Sequence, residues 1–185
     1  KRKVEKFCIN YQKSRVKHLI WHSNEIWLRN GKFLNQKAHH LKRGGNLFEK
    51  CLRGCCVSPS STIVHFSIFE RYGYFDEAMC VCEDYDLWLR VSAKEKFGFI
   101  EDELVIKHGG HDDQLSKKYD AMDRFRIMSM LKLIEYQDLT GDQRSCLKNE
   151  LIFKIRILLK GAKNRKNLDM VAKYTPILQS LLEMD

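Results

Sequence analysis

The stretch Phe75-Asp76-Glu77-Ala78-Met79-Cys80-Val81-Cys82-Glu83-Asp84-Tyr85-Asp86-Leu87-Trp88-Leu89-Arg90 decides how this chain is read. It places two adjacent acids, Glu83 and Asp84, at a predicted helix start, where the positive end of the helix dipole favours carboxylates. Leu87, Val91 and Lys94 fall on one side of that helix with Trp88 beside them, so it is expected to run to about Lys94. The residues just before it read as a strand over 61–65, a short helix over 67–72 and a turn at Gly73. The acids therefore follow compact structure. That layout suits a reactive site, and it equally suits two acids that only stabilise a helix N-terminus.

Outward from this segment, Val4, Phe7 and Tyr11 recur at helical spacing over residues 4–13. Residues 18–29 are rich in Ile, Leu and Trp and end in Asn30-Gly31, a hairpin signal, with a return strand expected over 33–36. Residues 37–45 are basic, carry His39 and His40, and contain Gly44-Gly45, which predicts an exposed mobile loop able to close over a substrate. Asn46 is placed to cap a short helix through Leu52. A strand over 97–107, at or near a sheet edge, completes an α/β unit.

From Ser116 the pattern changes. Tyr119, Met122, Phe125, Met128, Leu131 and Ile134 recur every third residue, predicting one face of a long helix. Residues 142–161 and 168–182 follow as further helices, set off by Thr140-Gly141 and by a basic turn over 163–167. The expected division is thus 1–115 for the α/β part and 116–185 for an all-helical C-terminal appendage.

With 185 residues, 44% of them hydrophobic and 31% charged, the chain can bury one sizeable core and is not a disordered tail. A formal net charge of +9 calls for an anionic partner: nucleic acid, an anionic membrane leaflet, or a phosphate-bearing molecule. The seven cysteines, at 8, 51, 55, 56, 80, 82 and 146, include no Cys-x-x-Cys pair of the kind structural zinc favours. They read as small buried thiols in a reducing cytoplasm. No apolar run approaches the ~18 residues of a membrane span, and Lys1-Arg2-Lys3-Val4-Glu5-Lys6 lacks a signal-peptide core. The expected location is cytoplasmic, with peripheral association at the inner face of the membrane left open.

Five pieces, in order, carry a resemblance: Trp27-Leu28-Arg29-Asn30-Gly31-Lys32, Pro59-Ser60-Ser61, Gly73-Tyr74-Phe75-Asp76-Glu77, Glu83-Asp84-Tyr85-Asp86-Leu87-Trp88-Leu89-Arg90, and Lys107-His108-Gly109-Gly110-His111-Asp112-Asp113-Gln114-Leu115-Ser116. Spanning about two thirds of the chain, they resemble the acceptor-side half of family 2 glycosyltransferases of the GT-A fold. The resemblance implies an α/β fold with a partial GT-A, Rossmann-like mixed sheet flanked by helices. It also implies transfer, with inversion, of a sugar from a nucleotide-diphosphate donor to a hydroxyl of a glycan or lipid-linked acceptor, in glycan or cell-surface polysaccharide synthesis. In that family the nucleotide-binding strands and an Asp-x-Asp metal motif precede this half, and no Asp-x-Asp occurs here before Asp84. The expectation is a truncated part, inactive alone, whose divalent metal (Mg or Mn) is bound mainly by the missing N-terminal half.

The resemblance assigns Asp84 as the base that takes the acceptor proton, and Glu83 as a second catalytic or acceptor-binding group. Asp86 and Trp88 join the acceptor-binding set, although an Asp86–Arg90 ion pair and a core position for Trp88 explain both more plainly. His111 is the expected diphosphate contact or metal ligand, with Gln114 and Ser116 near the donor phosphates; Ser116 also suits a helix cap. Asp112 and Asp113 bind acceptor or are solvated. Glu25 and Arg29 sit on a strand that could line the acceptor cleft, with alternation leaving their face open. Lys37, Lys42 and Arg43, and the set Lys160, Lys163, Arg165 and Lys166, could meet a phosphate-rich or lipid-linked acceptor. Helix residues 151–159 are expected to pack inside the appendage rather than enter a membrane surface. The alternative function is a noncatalytic basic module for an anionic partner. Nucleic acid is disfavoured because the charges are scattered and no zinc-finger or RNA-binding signature is present.

Overall fold

The computed structural model describes residues 2–35, 41–109, 121–135 and 138–183. The chain forms two compact units, Lys1–Asp120 and Ala121–Asp185.

The first unit runs α1 (Arg2–Lys13), β1 (Ile20–Arg29), β2 (Lys32–Phe33), α2 (Phe48–Arg53), a 3-10 turn (Pro59–Ser61), β3 (Thr62–Val64), α3 (Ser67–Tyr72), α4 (Glu83–Ser92) and β4 (Gly98–Gly109). Its sheet is mixed and four-stranded, with β1 at the centre. Along one edge β1 meets β3 at its start, Ile20 opposite Val64, and β2 at its end, Arg29 opposite Lys32, both antiparallel. Along the other edge β4 runs parallel to it, from Trp21 opposite Gly98 to Arg29 opposite Gly109. Asn30 and Gly31 both take positive φ, 50° and 74°, the turn geometry that matches strand twist.

Strand alternation sorts the side chains of β1 and β4 between two helical layers. On one face Trp21 and Ile100 cluster with Phe7 of α1. Trp21 lies flat across Gly98, so close that a Cβ there would sit 2.2 Å from Trp21 Cδ2. On the other face the His22 ring meets Phe97 and Phe99, and Phe97 packs edge-on against Trp88 of α4 at 6.4 Å. Tyr85, Leu87, Trp88, Leu89 and Val91 bury most of α4. Each large apolar side chain so buried stabilises the fold by roughly 1.5–3 kcal/mol. The Tyr85 hydroxyl donates to the Leu52 carbonyl at 2.9 Å, tying α4 to α2. The start of α2 is prepared by Asn46, whose Oδ1 accepts the Phe48 amide at 3.0 Å.

The expectation of a mobile loop needs correction over residues 41–45. Gly45 and Phe97 exchange two backbone hydrogen bonds, 2.7 and 2.9 Å. Gly44 is pressed so near that a Cβ would lie 2.8 Å from the Phe97 carbonyl oxygen. Here glycine serves close approach rather than mobility. Lys37, His39 and His40 lie outside the described residues.

The second unit holds α5 (Asp123–Ile134), α6 (Gly141–Asn164) and α7 (Leu168–Glu183). Thr140 and Gln143 form a capping box at the start of α6. In α5 the buried apolar residues are Phe125, Ile127, Met130 and Leu133, while Met128 is exposed and Leu131 only half-buried. The expected every-third-residue face is therefore wrong. Phe125 is buried as expected, but beyond it the buried set runs one residue ahead of the expected stripe, through Ile127, Met130 and Leu133 in place of Met128, Leu131 and Ile134. Leu147, Leu151, Ile155, Leu158 and Ala162 are buried in α6, with Phe153 and Ile157 exposed. Lys154 is buried there between Glu150 at 3.3 Å and Asp123 at 3.5 Å. Lys160, Lys163, Arg165 and Lys166 are all exposed. Among the described residues no helix is long and apolar enough to cross a membrane.

Candidate functional site

The chain enters α4 through Cys82, whose φ of 63° is left-handed despite its side chain. Such a conformation costs roughly 1–2 kcal/mol in an L-residue. It turns the backbone sharply, so that the helix begins at Glu83 with the Asp86 amide already bonded to the Cys82 carbonyl at 3.0 Å. Glu83 and Asp84 thus stand side by side in the first turn, both half-buried. One Asp84 oxygen accepts the Tyr85 amide at 2.7 Å and the other accepts the Cys55 thiol at 3.1 Å.

The next acid has a different duty. Asp86 is buried and holds Arg90, one turn on, with its Oδ2 3.0 Å from both Nε and Nη2. Arg90 in turn donates to the carbonyls of Tyr72 and Tyr74 on either side of Gly73, the latter at 2.8 Å. Gly73 turns with a φ of 76°, and the Arg90 fork clamps that turn to the helix. Trp88 is buried between Phe75 and Phe97. Acceptor binding by Asp86 and Trp88 therefore gives way to structural roles: Asp86 is 4% exposed and committed to Arg90, and Trp88 is 2% exposed and packed between aromatic rings, whereas the first-turn acids Glu83 and Asp84 stay half-buried.

A polar group that the sequence did not assemble lies behind the Cys55 loop. Glu25 of β1, 1% exposed, accepts hydrogen bonds from the Trp27 indole at 2.8 Å and the Ser58 hydroxyl at 3.1 Å. Its second oxygen lies 2.9 Å from the Lys42 ammonium, and Lys107 of β4 stands 3.7 Å from the first. Lys42 also donates to Ser61 at 2.8 Å, and Lys107 to Ser58 at 3.2 Å. Burial pushes the Glu25 carboxyl up, but Lys42, Trp27 and Lys107 together hold it below its ordinary value. Burial also holds Lys42 below the usual lysine range, against the pull of Glu25. The pair is locked rather than strongly favourable, as buried ion pairs usually are.

Cys55 links this group to Asp84. Cys55 is exposed as a residue, as are Cys8 and Cys80, so the expectation of buried thiols fails for these three; the protein around the Cys55 sulfur and the adjacent Asp84 carboxylate still push its thiol well up, while the Lys107 charge opposes them. The thiol therefore stays protonated as a donor to Asp84. Seen together, Asp84, Cys55, Ser58, Lys107 and the Glu25–Lys42 pair are brought to one end of β1 and β4. Alternation left the face of Glu25 open, and the structure turns it inward; Arg29 is exposed. Lys107 stood inside a recognisable segment, but nothing local marked it as the partner of a serine 49 residues away.

His111, Asp112, Asp113, Gln114 and Ser116 lie outside the described residues. So does the metal role expected of His111. Among the described residues no group of three or more His, Cys, Asp or Glu side chains converges to hold a metal ion. Elsewhere, an apolar cavity of about 240 Å³ opens between α1 and the β1–β3 edge, lined by Phe7, Tyr11, His18, Trp21, Ile63 and His65 among others, and none of the acids above borders it.

Comparison with protein-family models, with curated proteins and with solved structures finds no match to this chain.

Proposed function

We propose that this chain is the acceptor-side part of an inverting glycosyltransferase of the family 2, GT-A type. Asp84 is its general base. The observation that carries the proposal is the division of labour within Glu83-Asp84-Tyr85-Asp86: the first two acids stay half-exposed at the helix start, while the third is buried on Arg90. A helix that needed acids only for its dipole would not require a strained Cys82 to aim them.

In this reading the acceptor hydroxyl approaches the side of α4 that carries Glu83 and Asp84. As its oxygen bonds to the anomeric carbon, the proton passes to Asp84 and the bond to the donor diphosphate breaks. The Cys55 thiol holds one carboxylate oxygen and the Tyr85 amide the other, so the group is oriented before substrate arrives. Glu83 binds neighbouring acceptor hydroxyls.

The test is sugar transfer from a panel of nucleotide-diphosphate donors by the full-length protein. Asp84→Asn is expected to lower turnover about 10²–10⁴-fold, the usual contribution of a general base, with the circular dichroism spectrum unchanged. Turnover within twofold of the parent would overturn the assignment. Absence of any transfer, together with salt-dependent binding of anionic glycans, would favour the noncatalytic basic module, for which the net charge of +9 speaks.

A further inference from the structure

Two sulfurs near the site have no part in the chemistry above. Cys51, at the buried end of α2, lies with its Sγ 3.4 Å from the Sγ of Cys56. Cys51 is 1% exposed, whereas Cys56 is half-buried and reachable from solvent. Between them runs Leu52-Arg53-Gly54-Cys55. Gly54 is extended, with open space where a Cβ would point, so nothing packs against the segment at that position to block a small shift.

We infer that Cys56 is a peroxide-reactive thiol resolved by Cys51, the two closing to a disulfide under oxidising conditions. The inference is independent of the glycosyltransferase proposal.

The surroundings divide the neighbouring thiols by reactivity. The Cys56 thiol is held below its ordinary value, first by the hydrogen bond with Cys51, against burial, and then by Lys50, its own backbone and Lys42. Its neighbour in the chain, Cys55, is pushed the other way by desolvation and Asp84. Thiolate, not thiol, attacks peroxide. Cys51 is held protonated by Cys56 and by burial, and it waits within reach of any sulfenic acid formed beside it.

The chemistry balances in two steps. The Cys56 thiolate attacks one oxygen of hydrogen peroxide, forming an S–O bond as the O–O bond breaks and hydroxide leaves. Cys51 sulfur then attacks Cys56 sulfur; the S–S bond forms, and the hydroxyl departs with the Cys51 proton as water. Two thiols lose two electrons and two protons, and peroxide becomes two waters. Closing the bond draws the sulfurs from 3.4 Å to about 2.05 Å. That pull acts directly on Cys55 and on its hold of Asp84.

The sequence makes the test simple, because trypsin cuts after Lys50, Arg53 and Arg71. The folded 185-residue chain is treated with hydrogen peroxide, free thiols are blocked with iodoacetamide, and tryptic peptides are mapped without reduction. The expected product joins peptide 51–53 to peptide 54–71, with fragmentation placing the iodoacetamide label on Cys55 and the cross-link on Cys56. A Cys55–Cys56 bond would stay within peptide 54–71, and that result, any other pairing, or full alkylation of both thiols overturns the inference. Cys56→Ser is expected to slow the first thiol loss about tenfold and Cys80→Ser to leave it unchanged; equal rates in the Cys56 variant would also overturn it. In Cys51→Ala a dimedone-reactive sulfenic acid should persist at Cys56. Should that variant fail to fold, the peptide map of the parent protein decides alone.

Discussion

Glu25 and Lys42 meet at 2.9 Å with both side chains almost wholly withdrawn from water. They come from the central strand and from a connecting loop, seventeen positions apart (42 − 25), and their contact fixes that loop against the sheet.

Removing Lys42 leaves Glu25 with the longer Lys107 contact and the Trp27 and Ser58 hydrogen bonds. Lys42→Met should therefore cost about 3 kcal/mol, the lower end of the penalty for breaking a buried ion pair. The double variant Glu25→Gln/Lys42→Met should recover most of that loss. Urea unfolding of the two variants checks both numbers, and a double variant as unstable as the single would show that packing, not charge, dominates there.

His22 gives the protein an acid-sensitive point. Burial, with Lys42 and Lys50 nearby, holds its pKa down at about 4, although the Arg43 carbonyl, 2.8 Å from Nε2, pulls the other way. Its Nδ1 is buried without a hydrogen-bond partner among the described residues. The unfolded chain takes up this proton near pH 6.5 and the folded one only near pH 4, so stability falls as pH drops through that window. The loss should total about 2–3 kcal/mol. Denaturant midpoints measured between pH 7 and pH 4 should show it, and His22→Gln should flatten the slope over that range.

Gly98 has no room for a methyl group. Its Cβ would fall inside the Trp21 ring, which the packing of Phe7 and Ile100 holds in place. Gly98→Ala should destabilise by about 1–3 kcal/mol or more, as overpacking does. Gly98→Ala/Trp21→Leu should be less unstable than the sum of its parts, which a double-mutant cycle reads directly.

Asp86 and Asp84 should separate cleanly. Asp86→Asn loosens Arg90 from a largely buried seat and should cost about 3 kcal/mol of stability. Asp84→Asn, on the half-exposed turn, should cost less than about 1 kcal/mol while removing transfer activity. Thermal melts beside turnover measurements distinguish the two; equal destabilisation would place both acids in the same structural role.

Local signals were legible wherever the chain itself enforces them. The helix Ser67–Tyr72, the Asn30-Gly31 turn and the helix opening at Glu83 all follow from side chains within a few residues of one another. What stayed hidden depends on partners distant in sequence. Lys42 read as one more cation of a mobile basic segment, because nothing adjacent announces Glu25. The glycines beside it read as flexible, because their true reason, the backbone of Phe97, lies some fifty positions on. Trp88 and Asp86 share a motif with Asp84, and only their distant partners, Phe75 and Phe97 for the one and the Arg90 clamp on the Gly73 turn for the other, decide that they are buried. In α5 the difference is one of phase: the buried residues Ile127, Met130 and Leu133 each lie one position before Met128, Leu131 and Ile134, and the packing of the neighbouring helix, not the local spacing, selects between the two sets.

The irregular pairing of β1 with β4 has one more effect. Between Ser23 and Glu25 the partner advances from Ile100 to Glu103 and then to Val105, so β4 spends five steps where β1 spends two. The surplus lets its two halves choose their facing separately: the front half serves the aromatic packing under Trp21, the rear half presents Lys107 to Ser58 and Glu25. Shortening this slack by one residue would turn Lys107 to the opposite side of the sheet, away from Ser58 and Glu25, because a one-residue slip exchanges the faces of a strand.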